Sequence, residues 1–218
     1  IIKLICPNAA ITWTASNNGS GKVRLTASGV HGLTTTPAVG AHLAATATQN
    51  GWTAGSFHEI GAIVSTTVID LTTDWASQGV PVFALVGTNV TLYSLTVPVL
   101  LPSSYLEIDC CFTSSGLLTT NKNATIQLNG TYNLYNPAWN TAQSLIHPAL
   151  IVMQNANSLT VQRGETITNN ISGGSAQTGN VPADGSINTG IETTLTFGAA
   201  PTVNEWVNLR RARVMLKR

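Results

Sequence analysis

A two-residue alternation of apolar and polar side chains constrains this fold more than any other feature of the sequence. It is clearest in YLEIDCCFT, residues 105–113, where apolar positions alternate with charged or small ones: Leu106, Ile108, Cys110 and Phe112 against Glu107, Asp109, Cys111 and Thr113. Successive side chains of a strand point to opposite faces, so this segment predicts a strand with one apolar face. The adjacent Cys110 and Cys111 then face opposite ways. With an odd total of three cysteines, this disfavours a disulfide scaffold.

Similar short segments recur along the chain, and helical periodicity is almost absent. The other candidate strands are 22–27, 41–48, 56–65, 67–72, 82–87, 90–97, 123–128, 131–135, 146–154, 158–163, 191–197 and 205–216. They are short and punctuated by glycine up to about residue 87, and longer beyond it. The sequence therefore predicts an all-β protein: a small N-terminal β barrel-like module followed by an antiparallel jelly-roll sandwich. Its predicted parts are an arm or linker (1–21), the small β module (22–87) and the jelly-roll domain (88–218).

The turn at Asn129 and Gly130 permits a prediction of strand register. A two-residue loop would place Ile126 opposite a polar residue. A three-residue loop instead aligns the apolar residues of the two strands, so we expect the longer loop. The aligned residues would be Ile126 and Leu128 with Tyr132 and Leu134.

The composition is unusually poor in charge. Only 9% of residues are Asp, Glu, Lys or Arg, against about 25% in ordinary domains. This favours a subunit whose surface is covered by neighbours, or one that works outside a cell. The net charge of +1 gives no general attraction to nucleic acid or membranes, and no run of 18 apolar residues predicts membrane insertion.

Three histidines, His31, His42 and His58, are the candidate metal ligands. The sequence has no HExxH motif and no closely spaced histidine pair. His58 and Glu59 point to opposite faces of a predicted strand, so they cannot chelate one ion together. We predict no metal and no cofactor, with these histidines as ordinary turn and strand residues. Phosphate-loop, calcium-loop and nucleophile motifs are all incomplete, which argues against an enzyme.

Two carboxylates share one face of the strand at 105–113. Glu107 and Asp109 have Cα atoms about 6.6 Å apart by the rise per residue, a spacing that overlaps glycosidase carboxyl pairs. However, a glycosidase pair normally flanks the sugar from opposite sides of a cleft, and two carboxylates on one face of a single strand do this poorly. We therefore predict no catalytic residues and expect a contact face with interstrand or intersubunit charge pairs to Arg211 and Arg213, which alternate outward near the C-terminus.

The aromatic residues of TYNLYNPAWN are the candidate receptor contacts. Sugar-binding proteins stack exposed aromatic rings on their ligands, so we predict carbohydrate or receptor contact at Tyr132, Tyr135 and Trp139. The alternative is that these side chains are core or interface anchors, as most such residues are. The long polar segment 170–190 is a second candidate contact surface.

Several long sequence segments resemble parts of structural proteins of tailed bacteriophages. KVRLTASGVHGLTTTPAVGAHLAAT and GWTAGSFHEIGAIVSTTVIDL are similar to modules of such proteins, and VTLYSLTVPVLLPSSYLEIDCCFT resembles the jelly-roll domains of tail fibres and spikes. The likeness covers most of residues 22–218, although LLPSSY replaces a glycine-rich turn. It implies a virion component assembled in the host cytoplasm, usually a homotrimer. It also implies that GVHGLTTTPAVGAH is a strand, a turn with Pro37 and a second strand, with bends at Gly29, Gly32 and Gly40.

Three functions follow from this resemblance. The first is a non-enzymatic tail fibre or spike domain that attaches the particle to a host surface polysaccharide or envelope protein. The second is a capsid decoration or assembly protein that contacts only itself and other virion proteins. The third is a polysaccharide-degrading tailspike, which would need Glu107 or Asp109 as its acid or base.

Overall fold

A computed structural model describes residues 1–115, 122–136, 138–139, 145–155, 159–169 and 185–217. Within these ranges, fifteen elements are strands and one, α1 (Thr35–Ala38), is a short turn in which Thr36 has extended φ and ψ angles of −110° and 119°. The prediction of an all-β protein is confirmed. No helix in these ranges is long and apolar enough to cross a membrane.

The chain divides into two compact units. The N-terminal unit comprises Ile2–Val90 together with Ala200–Val207, and the C-terminal unit comprises Thr91–Ala199 and Asn208–Arg218. The division after Val90 lies close to the change in strand character seen in the sequence. The return of residues 200–207 to the first unit has no counterpart in the sequence pattern.

The N-terminal unit is one sheet, in the order β1-β4-β5-β6-β3-β2. Its strands are β1 (Leu4–Ile5), β2 (Trp13–Asn17), β3 (Lys22–Ala27), β4 (His42–Ala44), β5 (Phe57–Ile63) and β6 (Val68–Asp74). All pairs are antiparallel except β1 with β4. The first two residues of the last strand, β15 (Trp206–Lys217), pair with β1.

The segment 1–21, predicted as an arm or linker, contains β1 and β2. β2 pairs with β3 along its whole length, from Trp13 opposite Ala27 to Asn17 opposite Val23. Trp13 and both residues of β1 are buried, so this segment belongs to the hydrophobic core. The candidate strand 82–87 is not a strand, and forms only an isolated bridge between Phe83 and Ala45.

The segment GVHGLTTTPAVGAH agrees in part with what the resemblance implied. Residues 29–34 form no strand, but Pro37 lies in the turn α1 and the next strand begins at His42, as implied. Gly32 does mark a constrained position, because its φ is +75° and a Cβ there would lie 2.7 Å from Cγ1 of Val203. Only glycine fits both the left-handed backbone and the close contact.

The C-terminal unit is an antiparallel sandwich, as predicted. Its remaining strands are β7 (Val90–Val97), β8 (Tyr105–Ser114), β9 (Lys122–Leu128), β10 (Tyr132–Tyr135), β11 (Ala138–Trp139), β12 (Leu145–Asn155), β13 (Gln162–Asn169) and β14 (Thr193–Ala200). One layer has the order β13-β12-β8-β15 and the other β10-β9-β14-β7, with β11 paired to β9.

The predicted apolar face of β8 is confirmed. Its four alternating residues are each no more than 1% exposed: Leu106, Ile108, Cys110 and Phe112. Phe112 reaches the other layer and stacks on Tyr135 of β10, with ring centroids 6.4 Å apart and an interplanar angle of 13°. The three cysteines are free thiols, so packing between the layers rather than a disulfide holds this core.

The β9–β10 hairpin has the predicted three-residue loop. Tyr132 lies opposite Leu128, and Asn129 and Gly130 adopt positive φ angles of 53° and 69°. A register shift then places Tyr135 opposite Ile126, where Leu134 was expected. The extra residue is a bulge, which lets both Leu134 and Tyr135 be buried.

Candidate functional site

His31 is a structural histidine whose two ring nitrogens are both occupied. Its Nδ1 accepts a hydrogen bond from the Leu33 N–H at 3.0 Å, so Nε2 carries the proton and donates to the Ser65 carbonyl at 2.9 Å. The ring is fully buried and stacks near Trp13. Burial lowers its pKa, although the Ser65 bond acts in the opposite direction. No lone pair is left for a metal ion.

His42 and His58 lie on neighbouring strands but on opposite faces of the sheet. His42 is directly opposite Glu59, and His58 is opposite Leu43. The ring nitrogens of His58 contact the hydroxyls of Ser56 at 2.8 Å and of a threonine on β6 at 3.1 Å. The structure therefore does not bring the three histidines together. The described residues contain no cluster of three potential metal ligands.

The predicted carbohydrate contacts require a correction. Tyr132 and Tyr135 are 6% and 1% exposed, so neither is the exposed ring that the prediction required, although Tyr132 lines a small cavity of about 200 Å³. Tyr135 packs on Phe112, and the ring of Tyr132 lies against Gly185, where a Cβ would approach it to 2.7 Å. The two tyrosines are core anchors, which was the alternative interpretation. The side chain of Trp139 lies outside the described part of the structure.

One predicted charge pair forms within the chain. Arg211 Nη2 of β15 donates to Asp109 Oδ1 of β8 at 2.7 Å. Glu107 is half-buried and Arg213 is exposed, and in the described ranges they form no ion pair with each other. The carboxylate of Asp109 is thus held by an arginine rather than presented together with Glu107 as a catalytic pair.

A surface groove lies beside this ion pair, and we call it the arginine groove. Its volume is about 580 Å³, and the described residues that line it are Cys111, Ile146, Pro148, Arg210 and Arg211. The register of the strands brings the lining residues of the groove together, because Cys111 of β8 is directly opposite Pro148 of β12. β15 follows β8 in the sheet order and supplies the arginines. The groove thus has one apolar side and one cationic side.

The arginine groove presents both hydrogen-bond donors and an apolar side chain to solvent. Arg210 and Arg211 are exposed and present guanidinium donors, while Ile146 is 46% exposed and provides an apolar contact. Burial raises the pKa of the Cys111 thiol, although the two arginines act in the opposite direction. The thiol therefore stays protonated at neutral pH and is a poor nucleophile.

A second feature is a buried hydrogen-bond network that we call the polar clasp: Asn155, Gln162 and Thr189. Asn155 Nδ2 donates to the Leu101 carbonyl at 3.0 Å and to Thr189 Oγ1 at 2.9 Å. Gln162 Nε2 donates to Asn155 Oδ1 at 3.3 Å, and Gln162 Oε1 accepts the Ile187 N–H at 2.7 Å. The clasp joins the segments around residues 99–104, 159–162 and 185–191 into one ordered structure.

These clasped segments carry exposed aliphatic side chains, which we call the aliphatic loop surface. The five side chains are 36–58% exposed: Val99, Leu101, Leu159, Val161 and Ile191. Sequence reasoning missed this surface, because isolated aliphatic residues in turn segments carry no periodic signal. The nearest clue in the sequence is the incomplete calcium loop DGSINTG, residues 184–190, in which Asn188 Oδ1 accepts the Gly190 N–H at 3.0 Å. Most of the polar segment 170–190, up to residue 184, lies outside the described residues.

Comparisons with known proteins identify no relative. No protein-family model matches the chain, and no curated protein or solved structure is significantly similar to it. The functional inference therefore depends on the two surfaces described above and on the resemblance of the sequence phrases.

Proposed function

We propose that this chain is a non-enzymatic structural protein of a tailed-bacteriophage virion, a tail fibre or spike domain that mediates attachment to the host cell surface. The observation that carries the proposal is the aliphatic loop surface, held in place by the polar clasp. An ordered apolar surface on a β-sandwich suits a protein that functions by binding other molecules. The sequence phrases supply the phage assignment.

The energetics of the loop surface favour a role in assembly or adhesion. Full burial of one aliphatic side chain contributes about 1.5–3 kcal/mol, so burying the exposed halves of five contributes roughly 5 kcal/mol. Because Asn155 and Thr189 already fix the loops, binding costs little additional conformational entropy. Large contiguous apolar patches on soluble proteins commonly mark sites of interaction.

The edge of the second layer supports self-association into the homotrimer that the resemblance implies. β7, with the sequence VTLYSLTV, is the last strand of that layer in the described part of the chain. It is eight residues long and contains no charged residue and no proline. Natural edge strands usually carry charged residues or proline, which prevent pairing with another chain. Tyr93, which is 50% exposed, adds apolar area along this edge.

Native mass and an adsorption assay on susceptible bacteria test the proposal. We expect the purified chain to be a trimer and to block phage adsorption, and Ile191→Asp to abolish the block because it charges the aliphatic loop surface. Val30→Asp is the matched control, since Val30 has the same 58% exposure but lies in the N-terminal unit. A monomeric chain that binds neither bacteria nor virions would refute the proposal.

A capsid decoration protein is the alternative within the same class. It would use the same apolar surface, but would bind capsids and leave cell adsorption unaffected. A tailspike hydrolase is less favoured, because Asp109 is engaged by Arg211 at 2.7 Å. Release of reducing ends from host capsule by the wild-type chain, lost in Glu107→Gln, would instead establish the enzyme.

A further inference from the structure

We infer that the arginine groove binds a carboxylated sugar unit. This inference rests on the proposed function, because it names the chemical class of the host-surface ligand. The groove is separate from the aromatic residues to which the sequence assigned sugar contact, and those tyrosines are buried. The groove residues occupy three adjacent strands of one layer, β12, β8 and β15.

The cationic side of the groove is partly preorganised. Arg211 is held by Asp109 at 2.7 Å, so its guanidinium is positioned before any ligand arrives. Arg210 is exposed and forms no ion pair with any other described residue. A guanidinium offers two parallel N–H donors that match the two oxygens of a carboxylate. Arg210 is therefore the residue to which a ligand carboxylate would bind.

The net charge of the groove selects among anions. Arg210 and Arg211 contribute +2 and Asp109 contributes −1, which leaves +1. A carboxylate of charge −1 balances this value, whereas a phosphate monoester carries about −1.5 to −2 at neutral pH. A polyanion such as nucleic acid would need a longer basic stripe along the surface.

The apolar side of the groove suits the body of a sugar ring. Ile146 is 46% exposed, and Pro148 lies opposite Cys111 across the two strands. A pyranose presents C–H groups on its faces and hydroxyls on its rim, so one face would pack on Ile146 and Pro148. A volume of about 580 Å³ falls in the range of small-ligand sites and suits one or two sugar units.

Calorimetric titration of the purified chain with oligogalacturonate tests the inference, using neutral oligosaccharide of equal length and inorganic phosphate as comparison ligands. We expect the acidic oligosaccharide to bind at millimolar or lower concentration and the neutral one to bind about tenfold more weakly or not at all. Arg210→Gln should weaken acidic binding about tenfold, the effect of losing a charge-assisted hydrogen bond. Arg213→Gln is the matched control, because Arg213 is exposed on the same strand but does not line the groove.

Several results would overturn the inference. They are equal losses in Arg210→Gln and Arg213→Gln, equal affinity for acidic and neutral oligosaccharides, tighter binding of inorganic phosphate, or no binding of the acidic oligosaccharide at millimolar concentration. Ile146→Ser gives a second readout, since loss of the apolar contact should weaken acidic binding several-fold while the charge is unchanged. If titration fails but the chain still blocks phage adsorption, the groove assignment is wrong and the attachment function stands.

Discussion

Replacing Asn155 by alanine tests whether the polar clasp holds the loops of the C-terminal unit. The Asn155 side chain is 5% exposed and joins all three clasped segments to the end of β12. It donates to the Leu101 carbonyl and to Thr189 Oγ1, and it accepts from Gln162 Nε2. Alanine retains none of these hydrogen bonds.

The expected magnitude follows from this count. Three hydrogen bonds are lost, and each contributes about 1 kcal/mol net when the partners remain buried. The Leu101 carbonyl loses its side-chain donor, whereas Thr189 Oγ1 keeps its bond to the Leu159 carbonyl at 3.0 Å. We therefore expect Asn155→Ala to destabilise the clasped loops by about 3 kcal/mol.

Amide hydrogen exchange measures this locally, which matters in a chain of two units. The Leu100 N–H donates to the Thr189 carbonyl at 2.9 Å, and the Thr189 N–H donates to the Leu159 carbonyl at 2.8 Å. Both amides should exchange on the order of 100-fold faster in Asn155→Ala. Asn133→Ala is the control, because it removes only an exposed side-chain bond. Unchanged exchange at both amides would refute the role of the clasp.

Two further predictions concern single ionisable groups. Asp70→Asn should destabilise the N-terminal unit by about 1–2 kcal/mol in urea unfolding, because Arg24 binds both Asp70 oxygens at 2.7 and 2.9 Å. Asp74→Asn is the control and should cost under about 0.5 kcal/mol, because the ion pair of Asp74 with Lys22 is exposed. Equal losses of stability in the two variants would contradict this prediction. Burial, assisted by Lys122, lowers the pKa of His147 to about 4 from its ordinary 6.5. The unfolded chain therefore binds more protons between these values, and stability should fall by about 3 kcal/mol as the pH drops from 6.5 to 4. His147→Gln should remove this part of the pH dependence, and an unchanged decrease in the variant would refute it.

The strands with a buried face were predictable from sequence, and the reason is physical. β3 has the predicted bounds and β8 extends the predicted 105–113 by one residue, because side-chain alternation reports directly which face meets the core. β7 also has the predicted bounds, although Val97 is its one buried residue. β1 was missed since two residues are too few to show a period. β2 was missed because its polar residues, in a stretch rich in turn formers, resemble a linker, although Trp13 anchors it in the core.

The candidate sites were less predictable, because each depends on contacts between distant residues. The pairing of Asp109 with Arg211 could be expected from two alternating charged faces. The arginine groove could not, since it requires knowing that β12 and β15 flank β8. Likewise, nothing local marks Asn155 and Thr189 as partners 34 residues apart. Tyr135 was misplaced because an aromatic residue has the same sequence signature in a core as on a surface.

The buried polar residues also change how the low charge of the chain should be interpreted. Neutral amides and hydroxyls can be buried at modest cost when they are hydrogen-bonded, whereas charges cannot. This chain uses them that way in the polar clasp and again where Thr113 donates to Asn208 at 2.8 Å inside the C-terminal unit. Part of the Thr and Asn content therefore stabilises the interior, and a low charged fraction alone does not require covered surfaces. Association is favoured more directly by the aliphatic loop surface and the uncharged edge of β7, because their exposed apolar side chains are removed from water only by contact with another molecule.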